Sequence, residues 1–374
     1  MSIQALRTIA LSQIAVAEGA TTPVPSGPGW AWSTALTKPV YWNGTIWTAG
    51  SAGGGGSPAG NSGELQYNNV GAFAGAANIE VDNGDLVLIE QASVVAPATG
   101  KVKMFCKKIA NRFFPAMVGV ANMDACLQPS IWRQKVGIWT PPGNATTTPG
   151  VNGFTAPTAI GTATARNVAT TNLLTRTRRI GYVSAATAAA FCGQFTGAAQ
   201  FTTGDGAGLG GFFYSCRFAI TDAAAVSGAR SFFGVTSQTT TPTNVEPSTL
   251  TNAIGIAQLS TDATQLYLVY GGSAAQTAVA LGTNFPPMAG VGATNGIVYD
   301  LTIFCSPNSN GVVNVRLERV GTTFVYENTI TPGTPGTQTP LNTTLLAHRA
   351  WRTNNATLLA CGLDILNIYI ETDY

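Results

Sequence analysis

One histidine, His348, is the entire imidazole complement of this 374-residue chain. A multi-histidine metal site is thereby excluded, and imidazole catalysis would have to run through that single ring. Charge is scarce as well. Asp, Glu, Lys and Arg make up 10% of residues, against about 25% in ordinary soluble proteins. So thin a supply excludes a solvated disordered chain or a coiled coil. No uninterrupted apolar run reaches the roughly 18 residues of a spanning helix, so membrane insertion is not expected. None of the six cysteines (Cys106, Cys126, Cys192, Cys216, Cys305, Cys361) belongs to a CxxC pair, which removes the usual zinc and redox motifs. The opening MSIQALRTIALSQIAVAEGA lacks a basic segment ahead of its apolar stretch. Reduced thiols and assembly in a cytosol are therefore expected rather than export.

Catalytic signatures are missing too. No Walker A or GxSxG pattern occurs. GDGAGLGG matches GxGxxG at Gly206, Gly208 and Gly211, but the strand-like FFYSCRFAI follows where a dinucleotide site needs a helix. A glycosidase needs two carboxylates about 5–9.5 Å apart. Asp205, Asp222, Asp262 and Asp300 are candidates without a supporting motif. His348, in LLAHRAWR, has no carboxylate beside it in sequence and reads as an exposed or packing residue. No catalytic residue, metal ligand or cofactor is assigned.

What remains reads as β-structure. Residues 1–50 hold four of the seven tryptophans, Trp30, Trp32, Trp42 and Trp47. Asn43-Gly44 between YW and TIW is a strong hairpin signal, because type I′ turns need φ > 0 at both central positions. A small β-module is expected there, its tryptophans serving as core or as a sugar-stacking platform. Residues 51–63, SAGGGGSPAGNSG, form a flexible linker. Residues 64–94 read as a short β connector with a second turn at Asn83-Gly84, where Asp82 and Asp85 lack the DxDxDG pattern of a calcium loop. Across 95–374, strand-like runs alternate with Gly/Asn/Pro turns. Val313, Val315 and Leu317 alternate with Asn314, Arg316 and Glu318, a half-buried antiparallel strand. LDILNIYIE is apolar on both faces and should be covered on both. Residues 140–165 read as one long Thr/Pro/Gly loop. The expected fold is all-β: a small N-terminal β-module, a Gly-rich linker and a large C-terminal antiparallel β-sandwich, jelly-roll-like.

Formal net charge is +2, but it is unevenly spread. The block 101–180 holds eleven basic residues and one acid, Asp124. Such an excess suits either a polyanion or an acidic protein surface. The aromatic interleaving of single-strand binders is missing from KVKMFCKK and RTRR, so nucleic acid is not expected as a partner. With so few charges, the surface is either rich in Thr, Ser, Asn, Gln and Gly or hidden against identical chains.

Several stretches resemble the tail fibres, or receptor-binding proteins, of tailed bacteriophages. TTPVPSGPGWAWSTALTKPVYWNGTIWTA is similar to a phage-type segment whose YWNGTxW hairpin precedes a Gly-rich joint. GNSGELQYNNVGAFAGAANIEVDNGDLVL is similar to a short β-element of phage fibres. The longest resemblance joins LQPSIW, RRIGYVSAA, GGFFYSCRFAI, ARSFFGV, NVEPSTLTNAIGIAQL, LGTNFP, YDLTIFCSPN and LDILNIYIETDY. It implies a homotrimer whose N-terminal part, with Trp30, Trp32, Trp42 and Trp47, docks on the tail, baseplate or an adaptor protein. The C-terminal domain would then face the host. The expected function is a non-enzymatic adhesin on the virion, assembled in the host cytoplasm, that binds a bacterial surface polysaccharide or lipopolysaccharide. Trp132, Arg133, Lys135 and Trp139 are the receptor-binding candidates, as IWRQKVGIW concentrates two indoles and two cations. Trp351 with Arg349 and Arg352 is a second cluster. A structural head-fibre or baseplate component and a polysaccharide depolymerase are the alternatives.

Overall fold

The computed structural model describes residues 12–14, 19–21, 29–36, 38–42, 45–49, 63–69, 72–92, 94–98, 100–118, 124–126, 134–146, 154–204 and 210–373. The chain divides into two compact units, Met1–Ile89 and Glu90–Tyr374.

In the first unit, one four-stranded sheet joins β1 (Ser12–Ile14), β2 (Gly29–Ser33), β3 (Lys38–Trp42) and β4 (Trp47–Ala49), with β1 parallel to β2. Trp42 and Trp47 face each other across β3 and β4, with ring centroids 5.5 Å apart, and pack with Ala31 and Val40. The aromatics thus build the module's interior. The Asn43-Gly44 turn lies outside the described residues, as does most of the linker. A three-stranded sheet follows from β5 (Glu64–Asn69), β6 (Ala72–Asp82) and β7 (Asp85–Leu88). Its Asn83-Gly84 turn has φ of 49° and 92°, the left-handed pair a type I′ hairpin requires.

The second unit opens with a separate three-stranded sheet, β8 (Lys103–Ile109), β9 (Arg112–Val118) and β10 (Asp124–Cys126). The sandwich expected over 95–374 therefore starts later, at β11 (Gln134–Trp139). Next come β12 (Pro157–Ile160) and β13 (Thr162–Arg166), which occupy part of the stretch expected as a single loop. One short helix among the described residues, α1 (Leu173–Arg176), is capped by Asn172, whose side chain accepts from the Thr175 amide. The remaining strands are β14 (Arg179–Val183), β15 (Phe191–Thr196), β16 (Phe212–Ile220), β17 (Arg230–Thr236), β18 (Ala253–Gln258), β19 (Tyr267–Gly271) and β20 (Val279–Ala280). They are followed by β21 (Tyr299–Cys305), β22 (Val313–Arg319), β23 (Val325–Ile330), β24 (Ala347–Thr353) and β25 (Gly362–Asp373).

Two antiparallel sheets make the sandwich. One runs β13-β14-β25-β16-β21-β22-β23, with β11 also paired to β25; the other runs β12-β15-β24-β17-β18-β19-β20. Period-2 alternation sends Tyr214, Phe218, Leu301, Val315 and Ile365 of the first against Phe233, Val235, Ile254 and Leu268 of the second in one core. Phe218 stacks on Phe233 at 3.7 Å between centroids. Opposite β16, β25 carries a bulge at Leu366, where Arg217 pairs Asn367 and Phe218 pairs Ile365. The bulge switches parity, so Leu363 and Ile365 point inward before it, and Ile368 and Ile370 after it. Leu366 instead packs on Leu174 of α1, on the sheet's other face. Both faces of LDILNIYIE are covered, as its composition requires.

Candidate functional site

The outer face of the β16 sheet is ordered by register. Across one level, Ile138, Tyr369, Ser215, Thr302 and Arg316 stand in line, each on a different strand. A neighbouring level holds Arg217, Asp300 and Glu318. On the other side, Val136, Glu371, Phe213, Phe304 and Asn314 align. Over these rows the β8–β9 hairpin contributes Lys107, Ile109 and Phe114, and a cleft of about 560 Å³ lies between. Its size falls within the range of small-ligand sites.

The floor is a lattice of donors and acceptors. Arg217 donates from Nε to Asp300 Oδ1 at 2.7 Å and from Nη2 to Oδ2. That hydrogen bonding raises the Arg217 pKa, so the guanidinium stays charged. Asp300 faces Glu318 across the strands, and Arg316 bridges Glu318 at 2.7 Å and Glu327 at 3.0 Å. Ser215 and Thr302 add hydroxyls between the pairs, while Phe213, Phe114 and Tyr369 supply rings. Burial, then the Glu371 charge, push the Tyr369 pKa up, and its hydroxyl donates to Glu371 Oε2 at 3.0 Å. Aromatic faces beside densely spaced donors and acceptors suit a polyhydroxylated ligand, whose C–H faces stack and whose hydroxyls both give and take hydrogen bonds.

Arg112 fastens the hairpin at one end of the cleft. Its guanidinium lies 4.8, 5.1 and 5.6 Å from the ring centroids of Phe114, Phe213 and Phe304. Its Nη2 also reaches Glu371 Oε1 at 2.5 Å, and that carboxylate is 2% exposed. Cation–π contact and ion pairing thus act on one side chain. Other members of the basic block are matched inside the same unit. Arg166 and Arg179 both bind Asp364, at 3.2 and 2.8 Å, and Lys108 pairs with Glu90. The block's excess is therefore partly spent on acids remote in sequence.

The residues singled out from sequence fall elsewhere. Trp132 and Arg133 lie outside the described residues, and Lys135 is described only as part of the β11 backbone. Trp139 is fully buried between the sheets, which corrects its placement as a receptor contact. Alternation on β11 turns Val136 and Ile138 to the cleft and Trp139 away from it. Trp42 and Trp47 are likewise interior, so their rings are not docking surfaces. Trp30 and Trp32 take part in β2, and only their backbone is described. The second cluster is buried too. Trp351 packs on Phe191, and Arg352 forms a two-pronged pair with Asp222 through Nε at 2.7 Å and through Nη2. Arg349 donates to the Gln238 carbonyl at 3.1 Å, and burial lowers its pKa to about 10.

His348 also sits in the core. Tyr182 donates to Gln194 Oε1 at 2.7 Å, which turns the Gln194 amide nitrogen toward His348 Nε2 at 3.3 Å. Nε2 therefore accepts, and Nδ1 donates to the Tyr214 oxygen at 2.8 Å. Burial lowers the ring's pKa to about 3, so it is neutral and satisfied, with no free nitrogen for catalysis. Of the carboxylate candidates, Asp205 lies outside the described residues. Asp222 is consumed by Arg352, and Asp262 caps its own loop through Thr264, Gln265 and Tyr267. Among the described candidates, only Asp300 reaches the cleft. Sequence reading missed Arg217, Tyr369 and Ser215; the signal was the polar half of the 314–318 alternation, of which Arg316 and Glu318 line the site. Among the described residues, no group of three or more His, Cys, Asp and Glu is arranged to hold a metal ion, and no helix is long and apolar enough to cross a membrane.

No protein-family model and no curated protein sequence matches the chain. Among solved structures, it is similar to a protein of unknown function from Shewanella oneidensis MR-1, at 14% identity and TM-score 0.39, over 66% of this chain and 90% of that one. It is similar also to lectin II from Ulex europaeus, at 12% identity and TM-score 0.40, over 63% and 98%. Arcelin-5, a lectin-like defence protein from Phaseolus vulgaris, gives 11% and 0.37, over 65% and 100%. Scores this low extend nothing from those proteins to this chain.

Proposed function

We propose that the chain is a bacteriophage virion fibre, most simply of the tail, whose second unit binds a bacterial surface glycan without cleaving it. The observation that carries the glycan reading is the cleft itself, with three rings and two arginine–carboxylate arrays on a rigid five-strand floor. The motifs resembling phage fibres supply the virion part of the reading. Binding rather than hydrolysis is favoured because the facing carboxylates, Asp300 and Glu318, each already accept from an arginine. Exposed apolar side chains favour self-association into the fibre trimer, among them Leu65, Tyr67, Val81 and Leu86 of the first unit and Met104 and Phe113 of the hairpin.

Ser215→Trp tests the site. It fills the cleft from its floor and leaves both ion-pair arrays in place. Retention of host capsule or lipopolysaccharide by the purified trimer, and adsorption of virions carrying the variant, should fall at least about tenfold, the loss of one well-placed contact. Unchanged adsorption by a folded trimer would remove the cleft as receptor site. Release of oligosaccharide from host polysaccharide by the unmodified chain would replace the adhesin with a depolymerase.

A further inference from the structure

Two thiols meet across the sandwich. Cys192 lies on β15 in one sheet, Cys361 stands immediately before β25 of the other, and their sulfurs are 3.7 Å apart. Both are buried. At van der Waals distance, small rotations about the two Cα–Cβ bonds bring the sulfurs toward the roughly 2.0 Å of a disulfide. We propose that Cys192 and Cys361 are an oxidisable pair that closes into a disulfide stapling the two sheets together when the protein leaves a reducing cytosol and meets a hydroperoxide.

The surroundings assign the roles. The Cys361 pKa is lowered, first by its hydrogen bond with Cys192, while burial opposes the shift and the contact with Ser184 Oγ at 3.3 Å and the nearby Arg352 charge add to it. The Cys192 pKa is raised, chiefly by burial. Cys361, which ends the connection carrying the exposed Leu358 and Leu359, is therefore assigned as the nucleophile. Its thiolate attacks one peroxide oxygen, the O–O bond breaks, and hydroxide leaves to take up the thiol proton as water. The resulting sulfenic acid is attacked by the Cys192 sulfur. The S–S bond forms, the second oxygen departs as water with the Cys192 proton, and two thiols are oxidised for one peroxide reduced.

Both sulfurs are fully buried, so a hydroperoxide reaches them only when the connection 354–361, where Leu358 and Leu359 are exposed, opens locally. That segment is held by Asn354, whose amide donates to the carbonyls of Thr187 and Leu359 at 2.8 and 2.9 Å. Among the described thiols, Cys216 and Cys305 are buried without a neighbouring cysteine, and burial pushes both up to about 12.

The test treats the folded full-length protein with dilute hydrogen peroxide, blocks remaining thiols under denaturing conditions and maps the peptides. The expected result is loss of two titratable thiols, a joined peptide pair containing Cys192 and Cys361, and a rise in denaturation midpoint that dithiothreitol reverses. The rise follows from closing a loop spanning 169 residues. Cys192→Ala should instead leave Cys361 reduced or as sulfenic acid, with no midpoint rise. Both thiols still titratable after treatment, or a crosslink that joins other cysteines, would overturn the proposal.

Discussion

Replacing Arg112 by alanine isolates the contact that holds the β8–β9 hairpin over the cleft. Two kinds of contact are lost together. The guanidinium leaves the faces of Phe114, Phe213 and Phe304, worth about 0.5–1 kcal/mol for each well-placed ring and not fully additive. Its ion pair with Glu371 disappears. Breaking a buried pair costs about 3–5 kcal/mol, and the lower end applies because the Arg112 side chain is 17% exposed and Tyr369 still donates to Glu371. A combined loss near 4 kcal/mol raises the population of the undocked hairpin roughly 1,000-fold, at about 1.4 kcal/mol per decade. Because β8, β9 and β10 form their own sheet, the loss should fall on the hairpin and leave the sandwich intact. Amide exchange read by mass spectrometry should show faster exchange over 103–118 with 212–220 unchanged. Adding Glu371→Gln should recover part of the loss by removing the orphaned carboxylate. If exchange over 103–118 is the same in Arg112→Ala and the unmodified protein, the latch is not what seats the hairpin.

Two further perturbations follow from the buried polar groups. His348 has a folded-state pKa lowered to about 3 from an unfolded value near 6.5, so the unfolded chain binds the extra proton. Its contribution is complete above about pH 6.5 and is lost as pH falls toward 3, reaching on the order of 5 kcal/mol; denaturation midpoints of His348→Gln should fall less steeply over that window. Asp222→Asn leaves Arg352 buried without a counter-charge and should cost about 3–5 kcal/mol, measured by urea denaturation, whereas the pair Asp222→Asn with Arg352→Met should recover part of it.

The all-β character and the strand alternation were legible because they are local. Val313, Val315 and Leu317 do face the core, and Arg316 and Glu318 line the opposite face, where Asn314 is buried. The Asn83-Gly84 hairpin followed from turn chemistry alone. The cleft was not legible, since its floor takes one to three residues from each of five strands spread between 134 and 373. Register across strands is a tertiary fact, and no short motif encodes it. Trp139 shows how narrow the margin is: one step along β11 decides whether a side chain meets the cleft or the core. The cluster at 349–352 was read as surface because arginine usually is, yet Asp222, 130 positions away, allows Arg352 to be buried. The covering of LDILNIYIE was foreseen, but not that α1 and a separate hairpin would do it.

The strands β24 and β25 occupy the middle of their respective sheets, β24 between β15 and β17 and β25 between β16 and the pair β14 and β11. Residues 347–373 therefore act as a double keystone joined by one short connection. Until that segment emerges during synthesis, each sheet exists as two halves with open interior edges. Its partners, from Gln134 to Thr236, are already made and wait. Pairings of such long sequence separation are slow to form. The chain must spend that interval exposed to wrong edge-to-edge pairing, so its yield of folded product depends on how quickly the last two strands insert.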